Sequence, residues 1–316
     1  MKLSLVVPCY NEEQNVALFY RAATNVFDAE GYEYELVFVN DGSADNTLGE
    51  LKKLHAEANH NIRIISFSRN FGKEAAMYAG IEHAKGDLIC LIDADLQQRP
   101  EVVAYMVKRL DEVPELDCVA AYQHQRRESK KLSFFKKSFY NIINSVSDTK
   151  FVQGASDFRT FRRSVAESVL SMGEYHRFSK GILSWVGFNT EYIPYDVQER
   201  VAGESKWSFT KLFRYAVDGI IAFSTAPLAI PLVLGIALCA FSVIYLLATL
   251  FWCAVSYYTA FSIGLLLVFL VMLIGGLQLI GIGIVGKYLA KIYEQSKNRP
   301  IYIAKEIIEP KNEEQV

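Results

Sequence analysis

Asp87-Leu88-Ile89-Cys90-Leu91-Ile92-Asp93-Ala94-Asp95-Leu96-Gln97 is a run of apolar residues that ends in two carboxylates one residue apart. A short apolar run bounded by turn residues reads as a buried strand. Alternation along an extended segment sends Asp93, Asp95 and Gln97 to the same side. Two carboxylates with an amide oxygen beside them suit Mg²⁺ or Mn²⁺, which bind through few carboxylates plus substrate phosphates. The stretch therefore predicts a divalent cation beside a phosphate at the edge of a sheet.

Working outward, Leu3–Val7, Leu36–Val39 and Ile62–Phe67 are apolar runs of the same kind, each followed by a polar turn and a helix-compatible segment. That rhythm predicts βαβ repetition and an α/β fold with a mostly parallel sheet. Ligands bind beyond the carboxyl ends of such strands. Pro8-Cys9-Tyr10-Asn11-Glu12, Asn40-Asp41-Gly42-Ser43, Ser68-Arg69-Asn70-Phe71-Gly72 and Asp93-Ala94-Asp95 all fall there, so four turns converge on one edge. Asp41 is able to accept from a base N–H or a ribose hydroxyl, although a plain Asx turn needs no ligand. Gly72-Lys73 lacks the upstream glycine and the following Ser or Thr of a phosphate-loop ATPase. An Asp-x-Asp also opens phosphatases in which the first Asp is a nucleophile, but Thr or Val is expected there at the position Gln97 holds. A fifth strand is expected at Asp117–Tyr122. The basic stretch Arg126 to Tyr140 follows, either a solvated helix face or a contact with lipid phosphate.

The apolar share of the 316 residues is 51%, and it is concentrated in the last hundred. A formal charge of −2 gives no reason to expect a nucleic-acid partner. The five cysteines show no metal-ligand spacing and read as reduced, buried small hydrophobes. The opening Lys2-Leu3-Ser4-Leu5-Val6-Val7 resembles a strand rather than a signal peptide, so the front half is expected in the cytoplasm. Pro227–Phe251 and Phe261–Val285 carry no charge, and each, at about 25 residues and ~1.5 Å per residue, exceeds a ~30 Å bilayer core. Two transmembrane helices are expected. Lys206, Lys211 and Arg214 flank the first, and Lys287, Lys291, Lys297 and Arg299 follow the second, which puts both ends on the cytoplasmic side of the inner (plasma) membrane. Gly275, Gly276, Gly281, Gly283 and Gly286 permit close helix packing, so a homo-oligomer through these helices is one expected partnership. The expected divisions are residues 1–205 (catalytic domain), 206–226 (interfacial segment), 227–286 (membrane domain) and 287–316 (cytoplasmic helix and tail). The tail after Glu306 is expected to be disordered.

Val7-Pro8-Cys9-Tyr10-Asn11-Glu12-Glu13, Asn40-Asp41-Gly42-Ser43, Ser68-Arg69-Asn70-Phe71-Gly72, Asp93-Ala94-Asp95-Leu96-Gln97, Ser156-Asp157-Phe158-Arg159 and Arg200-Val201-Ala202-Gly203-Glu204-Ser205-Lys206 occur in this order. The set resembles the polyprenyl-phosphate glycosyltransferases of family 2, kin to dolichol-phosphate mannose synthase and the bactoprenol glucosyltransferases, from about Leu3 to Tyr302. The resemblance implies a GT-A-type, Rossmann-like mostly parallel sheet, amphipathic juxtamembrane helices and two transmembrane helices. It also implies inverting transfer of one sugar from a nucleotide-diphosphosugar, a UDP-sugar before a GDP-sugar, to undecaprenyl or another polyprenyl phosphate.

On the matching positions Pro8, Tyr10, Glu12 and Asp41 would hold the nucleoside, with Ser43, Gly72 and Lys73 beside them. Asp93, Asp95 and Gln97 would hold Mg²⁺ or Mn²⁺ and the diphosphate, Asp157 and Asp95 would be catalytic, and Arg200, Ser205 and Lys206 would meet the acceptor phosphate. The family commonly has an acidic residue and a proline where Gln98-Arg99 stand, and often an arginine near Gln123, for which Arg126 or Arg127 would substitute. A phosphate monoester with a second pKa near ~6 needs little deprotonation. Asp157 is therefore expected to orient the acceptor or take its last proton; the plainer reading makes it a strand-end partner of Arg159 or Arg162. Rival functions are a membrane-anchored polysaccharide synthase, for which no Gln-x-x-Arg-Trp motif is found, and a catalytically silent assembly subunit.

Overall fold

A computed structural model of the chain describes residues 2–58, 61–123, 155–175, 177–196, 226–255 and 260–311. The four leading apolar runs are strands: β1 (Lys2–Cys9), β2 (Glu33–Asn40), β3 (Asn61–Phe67) and β4 (Leu88–Leu91). Between them lie α1 (Val16–Glu30), α2 (Thr47–Glu57) and α3 (Lys73–His83), and α4 (Pro100–Glu112) follows. The fifth expected strand is β5 (Cys118–Gln123). Then come β6 (Ala155–Arg162), α5 (Arg163–Ser171), α6 (Ser179–Trp185), β7 (Thr190–Tyr195), α7 (Ala226–Val255), α8 (Ala260–Ser296) and β8 (Ala304–Ile308).

Among the described residues the strands form one sheet in the order β7-β5-β6-β4-β1-β2-β3-β8. β4, β1, β2 and β3 run parallel, whereas β6 is antiparallel to both β4 and β5, and β8 is antiparallel to β3. Both faces of the central strands are covered, which is why they read as continuous apolar runs. Leu3, Leu5 and Val7 of β1 face α1 and α4 through Phe19, Phe27, Val103 and Met106, and Val6 faces α3 and α5 with Val39, Ile65 and Val165. The α3 layer sits so close that a Cβ on Gly80 would meet Val6 Cγ1 at 2.1 Å.

Beyond Ser296 the chain is structured through Lys311, against the expectation of a disordered tail after Glu306; residues 312–316 of that tail lie outside the described residues. β8 pairs with the outer edge of β3, with Ile308 opposite Ile64 and Glu306 opposite Ser66. Lys52 bonds Glu306 at 2.7 Å, the buried Arg63 pairs with Glu309, and Lys311 Nζ donates to the carbonyl of Ala56 at 2.7 Å. An edge that would otherwise expose unpaired N–H and C=O groups is thereby covered.

Both expected apolar stretches are helical. α7 covers the first, and α8 covers the second but runs on to Ser296, well past Val285. Among the described residues one stretch, Leu273–Ser296, is long and apolar enough to cross a membrane by length and composition, with 6% of its apolar window buried. The two helices touch where a Cβ on Gly281 would lie 3.1 Å from Pro231 Cβ.

Candidate active site

Asp41 organises the edge where the parallel strands end. It is 3% exposed, and its Oδ1 accepts the N–H of Phe71 at 2.7 Å while Oδ2 accepts that of Gly72 at 3.0 Å. Burial pushes its carboxyl above the ordinary value, partly offset by those two N–H groups and by Arg69. Its first role is thus to join the turn after β2 to the turn after β3. Gly42 makes that join possible, with φ +59 and no room for a Cβ, which would sit 2.3 Å from the carbonyl carbon of Arg69.

The turn after β1 is tied to the same place. Asn11 N–H donates to Ser43 Oγ at 3.0 Å, Ala44 N–H to Asn11 Oδ1 at 2.9 Å, and Glu12 N–H to Thr47 Oγ1 at 2.8 Å. Pro8 is half-buried and Tyr10 exposed beside them. Pro8, Tyr10, Glu12, Asp41, Ser43 and Gly72 thus share one rim. Arg69 lies over the ring of Phe71, 4.0 Å from its centroid, at the same rim.

Asp93 and Asp95 lie differently from the extended alternation expected of them. β4 stops at Leu91, Asp93–Gln97 form a turn, and Leu96 takes φ +58. Gln98 closes that turn: its Oε1 accepts the N–H of Asp93 at 2.9 Å and its Nε2 donates to Asp93 Oδ2 at 3.1 Å. Gln97 N–H donates to Asp95 Oδ1 at 3.1 Å. Strand alternation therefore does not aim the Gln97 side chain. Gln98, noted from sequence only as a departure, braces the first aspartate.

Lys73 joins this turn to the opposite wall. Its Nζ lies 2.5 Å from Asp93 Oδ1 and 3.9 Å from Asp157 Oδ2. Burial alone would lower the Lys73 ammonium, but Asp93, Asp157 and Asp95 outweigh that and hold it above the ordinary lysine value. Asp157 enters on β6, and its Oδ1 is buried with no hydrogen bond from the described residues. Burial would raise its carboxyl, yet Lys180, Lys73 and Arg159 together keep it below the ordinary carboxylate value. Arg159 donates to the Ser156 carbonyl and Arg162 to the carbonyls of Leu116 and Leu110, so the influence of Arg159 on Asp157 is one of charge. Arg126, Arg127, Arg200, Ser205 and Lys206 lie outside the described residues.

Lys180 and Glu74 also belong to this wall, and neither falls in a motif. Glu74 Oε2 accepts the Ser179 N–H at 2.8 Å, a contact between residues 105 apart in the chain. Only the adjacency of Glu74 to Lys73 hinted at it.

A family model described as Glycosyl transferase family 2 matches residues 4–170. The chain belongs to this family. A putative glycosyltransferase of Bacillus subtilis, CsbB, is 37% identical over 310 residues, covering 96% of this chain and 91% of that protein. A prophage bactoprenol glucosyl transferase homolog of Escherichia coli K12 is 38% identical, covering 97% and 99%. The bactoprenol glucosyl transferase of Shigella phage SfV is 39% identical, covering 96% and 98%. The solved mannosyl-3-phosphoglycerate synthase of Rubrobacter xylanophilus aligns with 70% of this chain and 72% of its own at 16% identity and a TM-score of 0.49, too slight a likeness to argue from. As a family 2 glycosyltransferase the chain is an enzyme, and the resemblance read from its motifs is borne out.

A divalent cation would find hard oxygen donors at Asp93 and Asp95. Among the described residues no cluster of three or more His, Cys, Asp or Glu side chains is built to hold a metal. Two carboxylates that leave most of the shell to substrate phosphate fit Mg²⁺ or Mn²⁺ in that manner.

Proposed function

We propose that this enzyme is a membrane-bound inverting glycosyltransferase that moves one sugar from a nucleotide-diphosphosugar, with UDP favoured, to a polyprenyl phosphate on the cytoplasmic side of the membrane. The observation that carries the reading is Lys73, whose ammonium stands between Asp93 on the donor wall and Asp157 on the facing wall. The near-full-length relatives named for bactoprenol support the acceptor. Pro8, Tyr10, Glu12, Asp41 and Ser43 hold the nucleoside. Asp93 and Asp95, with Gln97 beside them, would hold Mg²⁺ or Mn²⁺, which would supply positive charge to offset that of the diphosphate.

In the transfer an acceptor phosphate oxygen bonds to the anomeric carbon as the bond from that carbon to the diphosphate oxygen breaks, and the nucleoside diphosphate leaves. Anion meets anion in this step, so cations must offset the repulsion. Lys73 does so between the two walls, and Arg200, Ser205 and Lys206 receive the acceptor phosphate, with Arg126 and Arg127 near it. Asp157, kept ionised, orients the acceptor or takes its last proton. Both α7 and α8 span the bilayer with short flanks on the basic, cytoplasmic side. Residues 1–205 form the catalytic unit, 206–226 lie along the interface, 227–286 cross the membrane, and 287–316 return to the catalytic unit.

The purified full-length enzyme is incubated with undecaprenyl phosphate, Mg²⁺ or Mn²⁺ and a panel of UDP- and GDP-sugars, and the lipid is weighed by mass spectrometry. One added sugar per lipid phosphate, from one donor, is expected. Polymer growth, or donor hydrolysis without lipid product, overturns the reading.

A further inference from the structure

Glu74 is a carboxylate beside Asp157 that the transfer just described does not use. It follows Lys73 in the first turn of α3, and its Oε2 accepts both the backbone N–H and the hydroxyl of Ser179. Ser179 is buried and opens α6. One carboxylate oxygen thus pins the start of α6 to the start of α3.

The residue before Glu74 is Lys73 and the residue after Ser179 is Lys180, and these are the two strongest cationic influences holding Asp157 ionised. The groups facing Glu74 are Asp157 from β6, Lys73 from its own helix, Ser179 from α6 and Arg177 from the turn before α6. Burial and Asp157 push the Glu74 carboxyl up to about 7, against the opposing pull of Ser179 and Lys73. Burying one anion beside another weakens a fold, and such arrangements gather at working sites.

We propose that Glu74 and Ser179 are a positioning pair for the transfer reaction, fixing the starts of α3 and α6 together so that Lys73 and Lys180 flank Asp157. The inference rests on the proposed transfer to lipid phosphate. A clamp that served only the fold would leave Asp157 indifferent to its loss.

The test uses the full-length enzyme in detergent with its working donor, comparing wild type, Glu74→Gln, Ser179→Ala and the double variant. Each single change is expected to lower kcat roughly tenfold, and the double variant no further, because residues acting as a unit are not additive. Donor Kd should stay within about twofold. In Ser179→Ala the acid limb of kcat moves to higher pH, because Glu74 loses a hydrogen bond that favours its ionised form. A limb set by the lipid phosphate alone would not move. At pH 8 Glu74→Gln should melt no lower than wild type, whereas a clamp that merely holds the fold predicts a lower melting temperature. Additive losses, an unmoved acid limb in Ser179→Ala, or kcat equal to wild type each overturn the pair while leaving the function intact. A wild type inert with every donor overturns the lipid-phosphate reading and the positioning role with it.

Discussion

Replacing Gly42 by alanine separates the cost of a left-handed backbone from the cost of a collision in the site. Gly42 and Gly31 have similar torsions, φ +59 and +70, but a Cβ on Gly31 meets nothing within 4 Å, whereas one on Gly42 would stand 2.3 Å from Arg69 C and 2.5 Å from Asn70 N. Both substitutions incur the left-handed penalty of about 1–2 kcal/mol. Gly42→Ala adds overpacking of roughly 1–3 kcal/mol, which at ~2–4 °C per kcal/mol for a unit of ~150–250 residues is an excess melting loss of about 2–12 °C over Gly31→Ala. Relief requires the 69–70 backbone to retreat by roughly 1 Å, and a misplacement of that size can cost ~100-fold in rate. The same retreat strains the bonds from Phe71 and Gly72 to Asp41. Thermal unfolding and kcat/KM for the donor are measured on both variants. Gly42→Ala should lose about 10–100-fold in kcat/KM and Gly31→Ala less than twofold. Equal melting temperatures and equal kcat/KM in the two variants would refute the reasoning that these two turns build the donor rim.

Asp157→Asn should lower single-turnover rate by about 100-fold or more with donor affinity within roughly twofold, read by rapid quench beside donor titration; equal losses in both would move Asp157 to the donor side. Gln98→Ala removes both bonds that brace Asp93, and Mn²⁺ binding followed by electron paramagnetic resonance should weaken on the order of tenfold, as when the outer support of a ligand is lost. Unchanged Mn²⁺ affinity would exclude that role for Gln98. Glu74 has a folded-state pKa of about 7, above its ordinary 4.5. The folded protein therefore binds this proton more tightly than the unfolded chain. Stability from this group is full below about pH 4.5 and is lost as pH rises through 7. Chemical denaturation from pH 4.5 to 8 should show a decline that Glu74→Gln flattens, by up to roughly 3 kcal/mol at ~1.4 kcal/mol per pKa unit; a wild-type profile already flat across that window would count against the burial of this carboxyl.

The central strands were legible because their surroundings are simple. Leu3–Val7, Leu36–Val39 and Leu88–Leu91 are apolar without interruption since helices cover both faces, and a run of that kind admits few other readings. β8 was not legible for the opposite reason. Ala304-Lys305-Glu306-Ile307-Ile308 is an edge strand in which Lys305 and Ile307 are exposed, and its last two residues belong to the stretch after Glu306 that reads as a charged tail. What orders it are Lys52 and Arg63, some 250 residues upstream, and no local pattern reports a partner at that distance.

The site divides along the same line. The meeting of turns at the strand ends was legible because Asn40-Asp41-Gly42-Ser43 and Asp93-Ala94-Asp95 carry their polar groups within a few positions. The alternation drawn through Asp93, Asp95 and Gln97 failed because a side-chain amide can replace the backbone ladder that keeps a strand extended. Once Gln98 offers an acceptor to Asp93 N–H and a donor to Asp93 Oδ2, the chain can turn at Leu96 and still hold the first aspartate in place. A glutamine that looked like a lost family contact thus performs the bracing, and its effect appears only when both ends of the amide are followed to the same residue. The wall around Asp157 carries this further. Lys73, Glu74, Asp157, Ser179 and Lys180 come from two helices and an antiparallel strand, so their chemistry exists only after β6 inserts beside β4. A charge cluster assembled by topology in this way leaves single residues in the sequence, each of which has an innocent explanation until Lys73 is seen reaching both carboxylates.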